Sequence, residues 1–243
     1  MKNVAGKEFM KLHSAGVARA LLNLLGIVFL WGACWITDAA PGGDSSKPIK
    51  DTPGLARVLL IGDSISIGYT LPVRELLRGR ANVHRVPANA SSTGHGLKRL
   101  KEWLGDGKWD VIHFNFGLHD AKLPPEGMGH SSLKEYEDNL QKIVADLKAT
   151  DAKLIWATTT PVPNNGDLGP KRKFADVADY NKVASKVMSD NHVPIDDLNG
   201  MITPFLGKVQ RTNDVHFTAE GSTLLARQVV ASIEKQLPSV RSP

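Results

Sequence analysis

From residue 57 onward, short apolar runs alternate with stretches whose apolar residues recur at helical spacing, and this alternation restricts the chain to few architectures. Residues 57–62 (RVLLIG), 81–86, 110–116 (DVIHFNF), 153–159 (KLIWATT) and 193–198 read as five strands. Between them, 72–77 and 97–104 read as helical. Apolar residues at 133, 136, 140, 143, 144 and 147, and again at 177, 180, 183, 184 and 187, mark two amphipathic helices. Thr218 is an N-cap for a last helix carrying Leu225, Val229 and Ile233 at four-residue intervals. Strands that alternate with helices favour a parallel sheet covered on both faces. Function in such sheets collects beyond the C-terminal strand ends, where Ser64, Gly94, His119 and Pro161 are expected.

The first 40 residues have a different character. Residues 1–19 are net basic, and 20–37 (ALLNLLGIVFLWGACWIT) carry no charge. Small residues at Thr37 and Ala39 follow. Residues 1–40 are expected to be a secretory signal peptide. Two alternatives stay open: an uncleaved membrane anchor, since the run is just long enough to span a bilayer, or a lipoprotein signal lipidated at Cys34. Each places the domain outside the cytoplasm and confines membrane attachment to this segment. Residues 41–55, with 41–53 reading PGGDSSKPIKDTP, are expected to be a flexible linker, and 56–243 to be the functional domain.

Composition narrows the functions. Cys34 is the only cysteine, so the domain has neither a disulfide nor a thiolate metal site. The formal charge of +5 is scattered, with no aromatic-interleaved basic patch, which argues against nucleic acid as a partner.

Two segments carry chemistry. In 61–66 (IGDSIS), a glycine and a serine follow a buried strand and open a helix, where partial positive charge favours a developing anion. A plain N-cap serine has the same local appearance. In 213–218 (NDVHFT), Asp214 and His216 stand just before the last helix. A serine nucleophile needs an imidazole base, and the imidazole an acceptor to set its tautomer. Alone, this segment also reads as a turn with a surface histidine.

Together these segments resemble the first and last blocks of the SGNH (GDSL-like) hydrolase superfamily, and the resemblance covers about residues 56–236. It implies a three-layer α/β/α sandwich, flavodoxin-like, with about five parallel strands. It implies a serine esterase working through an acyl-enzyme, without metal or cofactor, with Ser64 as nucleophile and His216 as base. The family's oxyanion donors are the serine N–H, a loop glycine N–H and an asparagine side chain. In 89–96 (NASSTGHG) the family's spacing picks Gly94, with Gly96 or the Ser91 N–H as fallbacks.

Two departures from the family pattern stand out. The block expected as Gly-x-Asn-Asp reads Gly117-Leu118-His119-Asp120. Either side chain can point an N–H at an oxyanion, so His119 is expected as the third donor, with its ionisation felt in kcat, and Asn115 stands in reserve. The family's spacing puts the triad acid at Asn213; Asp214 is preferred because a carboxylate stabilises an imidazolium better than an amide.

The remaining histidines read as structural: His84 and His113 inside strands, His95 and His130 in loops, with no cluster suited to zinc. Trp109 and Trp156 read as core or strand-end aromatics. Residues 158–163 (TTTPVP) are expected to wall a pocket, and 164–172 (NNGDLGPKR) either shape it or form an ordinary surface loop. The expected substrates are small-molecule or carbohydrate esters with short acyl groups, O-acetyl groups among them. Lysophospholipid or thioester hydrolysis needs a longer groove. A binding module that has lost the chemistry is the alternative from another class.

Overall fold

The computed structural model describes residues 44–126 and 129–238. Five strands, β1 (Ala56–Ile61), β2 (Ala81–Arg85), β3 (Val111–Phe114), β4 (Lys153–Ala157) and β5 (Ile195–Asp196), form one sheet in the order β2-β1-β3-β4-β5. Every pairing is parallel. The helices are α1 (Ser64–Leu76), α2 (Thr93–Leu104), α3 (Leu118–Ala121), α4 (Leu133–Lys148), α5 (Val177–Asp190), α6 (Leu198–Ile202), α7 (Leu206–Val209) and α8 (Ala219–Glu234).

Side chains alternate across a strand, and β1 shows how this builds two cores. Val58 and Leu60 pack with α1 and α8, whereas Leu59 and Ile61 pack with α2, α4 and α5. All four are buried, as expected of a strand covered on both faces. The result is the expected α/β/α sandwich, with the strand order of flavodoxin-like folds and its switch point between β1 and β3. Register aligns Ile61 with Phe114, so the turns after β1 and β3 leave the sheet side by side.

Some boundaries differ from the sequence reading. α1 starts at Ser64 and carries Pro72 within it, because Asp63 caps the helix by accepting the Ile65 N–H at 2.8 Å. α2 starts at Thr93, so His95 is helical rather than in a loop. β5 shrinks to two residues between Pro194, which has no N–H, and Asp197, which caps α6. The four- and five-residue helices α3, α6 and α7 are too short to show a period.

The linker expected over 41–55 is docked along its described part: Ser45 is buried and Lys47 O accepts from Arg74 Nη2 at 3.3 Å. Asp51 bonds Arg57 at 2.8 Å and His84 at 2.5 Å, and the Thr52 N–H donates to Asn82 Oδ1 at 2.8 Å. Residues 1–40, including Cys34, lie outside the described residues. Among the described residues, no helix is long and apolar enough to cross a membrane. His113 is fully buried and bonds Asp196 at 2.9 Å, and Trp156 is fully buried in β4.

Candidate active site

The turn after β1 is tight. A Cβ on Gly62 would stand 2.9 Å from the Ser66 Cβ. Asp63, not Ser64, caps α1, so the capping explanation for Ser64 falls away. Ser64 occupies the first helical position, and its backbone N–H is directed out of the helix N-terminus. A buried arginine at the end of β2 lashes this turn down. The Arg85 guanidinium donates to the carbonyls of Gly62 (3.0 Å), Asp63 (3.3 Å), Val86 (2.7 Å) and Ala88 (3.0 Å), and to Ser66 Oγ (3.2 Å).

The histidine arrives from the loop before α8. His216 Nε2 lies 2.8 Å from Ser64 Oγ, and Nδ1 lies 2.8 Å from Asp214 Oδ1. A carboxylate only accepts, so Nδ1 carries the proton and Nε2 accepts from the serine. Asn213 turns away: its backbone is left-handed (φ 51°) and its Oδ1 accepts from Asn164 Nδ2 at 2.6 Å. Burial pushes the Asp214 pKa up, but the hydrogen bond and charge of His216, with Arg172 3.3 Å away, outweigh it and hold the carboxyl below its usual range.

Ser64 and His216 open into a cavity of about 250 Å³, also lined by Asn89, Leu118, His119, Lys122, Arg172, Phe174 and Val215. His119 sits on α3, at the end of β3, and its Nδ1 is 3.5 Å from Ser91 Oγ. Burial is the main influence on its pKa and pushes it down, with Lys122, His95 and His216 adding to the effect against Asp63.

The expected loop glycine is not part of this cavity's lining. Gly94 lies inside the first turn of α2 and is not among the lining residues. The fallback donors are engaged elsewhere: the Gly96 N–H bonds the Ser92 carbonyl at 2.8 Å, and the Ser91 N–H bonds Asn89 Oδ1 at 2.8 Å. Asn115, held in reserve, donates to Ala157 O (2.7 Å) and Thr159 Oγ1 (3.2 Å). Asn89 does line the cavity, and with its oxygen occupied by Ser91 its NH2 end is the one left to donate.

A profile of the GDSL-like Lipase/Acylhydrolase family matches residues 60–224, which contain Ser64, His119, Asp214 and His216. The chain belongs to the GDSL-like lipase/acylhydrolase family. An arylesterase from Vibrio mimicus is 27% identical over 123 residues, 45% of this chain and 58% of that protein; this chain therefore matches little more than half of that relative's length. A lipase/acylhydrolase from Enterococcus faecalis has a similar fold, with a TM-score of 0.66 at 23% identity over 78% of this chain and all of that one. So does a catalytic mutant of an acetylxylan esterase from Geobacillus stearothermophilus, with a TM-score of 0.63 at 21% identity over 80% of this chain and all of that one.

In this family member the loop after β4 reaches both halves of the site. Its far end pairs with the segment after α3: Lys122 bridges Phe174, Leu123 N–H donates to Lys173 O and Ala175 N–H to Ala121 O, both at 2.8 Å. Its near end holds the histidine loop through Asn164–Asn213 and through Gln210 Nε2, which donates to Pro161 O at 2.8 Å. Arg172 completes the link at Asp214. Residues 164–172 are thus part of the site's frame. Arg85, Asn89, Lys122 and Arg172 are the residues sequence reasoning did not single out. An arginine closing a strand beside a serine turn was the available signal for Arg85; the others depend on loop conformation.

Proposed function

We propose that this family member hydrolyses short-acyl esters through an acyl-enzyme on Ser64. The observation that carries the reading is the unbroken chain from Asp214 through His216 to Ser64, with both links at 2.8 Å. Ser64 Oγ attacks the ester carbonyl while His216 Nε2 takes its proton. Asp214 holds the ring in the required tautomer and stabilises the imidazolium. The oxyanion is received by the Ser64 N–H and by His119, with the Asn89 amide in place of Gly94. His216 then protonates the leaving alcohol, and water repeats the sequence to release the acid.

A cavity of about 250 Å³ suits an acetyl or other small acyl group and supports the short-chain reading over the lysophospholipase one. The fold shared with acetylxylan esterases is compatible with carbohydrate O-acetyl esters. The basic and apolar pattern of residues 1–40 supports export, which N-terminal sequencing of the secreted protein would check. The central test is a series of 4-nitrophenyl esters from acetate to palmitate. Wild type should turn over the short members and lose kcat/KM as the chain lengthens. His216→Gln should accumulate a covalent acyl adduct too little to detect by mass spectrometry. Equal rates for wild type and Ser64→Ala on every ester would end the proposal.

A further inference from the structure

The lining of the cavity that holds Ser64 has a charge pattern that ester hydrolysis itself does not require. Among its lining residues are Lys122 and Arg172, and none is an aspartate or glutamate. The two cations are placed there by backbone pairing. Lys122 stands opposite Phe174 in an antiparallel bridge, so their side chains leave the same face. Arg172 is two residues before Phe174 and, in an extended segment, shares that face. All three line the cavity, as this geometry requires.

Each cation has one carboxylate partner, and neither partner lines the cavity. Lys122 Nζ lies 3.2 Å from Glu126, and Arg172 Nη2 lies 3.3 Å from Asp214. An ammonium has three donors and a guanidinium five, so one contact each leaves donors for the cavity side. Both side chains are also partly withdrawn from water, with 23% and 33% of their surface exposed. That strengthens their attraction for an anion.

We propose, resting on the esterase reading above, that the substrate of this site is an ester bearing a carboxylate close to the scissile carbonyl, held by Lys122 and Arg172. A carboxylate suits the planar fork of a guanidinium and can accept from both cations at once. Arg172 then has two connections: it meets the substrate anion and it contacts the triad acid. Lys122 contacts no triad residue and is the cleaner reporter of specificity.

The test pairs each anionic ester with a neutral counterpart. Mono-4-nitrophenyl succinate against its methyl ester places the charge on the acyl side. 5-Acetoxy-2-nitrobenzoate against its carboxamide places it on the alcohol side. In wild type, at least one anionic member should exceed its neutral counterpart in kcat/KM by roughly tenfold or more, mainly through KM. That ratio should shrink as salt rises. Lys122→Gln should collapse the ratio, Lys122→Arg should retain it, and Lys122→Glu should invert it. Ratios near one or below in both wild-type pairs, with the neutral esters still hydrolysed, would overturn the inference and leave the esterase reading standing. No turnover of any ester above the Ser64→Ala background would overturn both.

Discussion

His216 Nε2 lies 2.8 Å from Ser64 Oγ, although 152 residues of chain separate them. The sheet makes the meeting possible, because β1 delivers the serine to the same edge at which the loop before α8 delivers the ring. Ser64→Ala should lower kcat on 4-nitrophenyl acetate by about 10⁴-fold or more, while the thermal midpoint stays close to wild type. A residual rate within tenfold of wild type would place the chemistry elsewhere.

The choice between neighbouring residues as the acid can be settled kinetically. Asp214→Asn keeps the shape but removes the charge that sets the histidine tautomer, and should lower kcat by roughly 10³- to 10⁴-fold. Asn213→Gly preserves the left-handed backbone at φ 51° and should change kcat by no more than a few-fold. The opposite ranking would assign the role to Asn213.

Arg85 gathers four main-chain carbonyls around the serine turn. Arg85→Met removes these bonds. Gly62 O keeps the Ala90 N–H at 3.0 Å, and Asp63 O keeps the Ile67 N–H at 3.2 Å and the Ser66 hydroxyl at 2.8 Å, so the buried Val86 carbonyl loses most. The variant should cost about 1–2 kcal/mol in urea unfolding. Arg85→Lys should recover only part of that, since an ammonium has three donors for the five contacts. A loss under about 0.5 kcal/mol for the methionine variant would show that water replaces the guanidinium easily.

Two glycines of α2 should behave differently. A Cβ at Gly96 would stand 2.6 Å from the Phe116 ring, whereas at Gly94 the nearest atom is Asn139 Nδ2 at 3.9 Å. Gly96→Ala should destabilise by about 1–3 kcal/mol through overpacking. Gly94→Ala should leave the denaturation midpoint unchanged or slightly raised, because alanine is the better helix former.

His119 gives a pH signature in stability. Burial lowers its pKa in the folded protein below the ordinary 6.5. Between these two values the unfolded chain binds more protons, so the contribution of His119 is fully present above 6.5 and is lost as pH falls through the folded pKa. His119→Asn should therefore flatten the acid side of the unfolding profile below pH 6.5. The same substitution bears on the expected link between His119 ionisation and kcat: a pH–rate profile identical to wild type would remove that link.

Much of the scaffold was legible in one dimension. The apolar run at 57–62 and the helical period of 133–147 are repeated local signals, and burial on both sheet faces demands them. Asp214 was favoured over Asn213 on charge alone. Asn213 is turned away from the ring by a left-handed backbone and a side-chain bond to Asn164, neither of which has a period. Gly94 was named by spacing, yet α2 begins one residue earlier and the cavity is lined instead by Asn89.

By itself, the sequence determined the layered α/β architecture and named the hydroxyl and the imidazole, because strand and helix periods and a glycine–serine turn are written into contiguous residues. Only the tertiary structure decided which carboxylate meets the ring, which amide lines the cavity, and that Lys122 and Arg172 line the same cavity as Ser64. Those outcomes depend on loop dihedrals and on pairing between segments some fifty residues apart, and no local pattern encodes the direction in which such a side chain points.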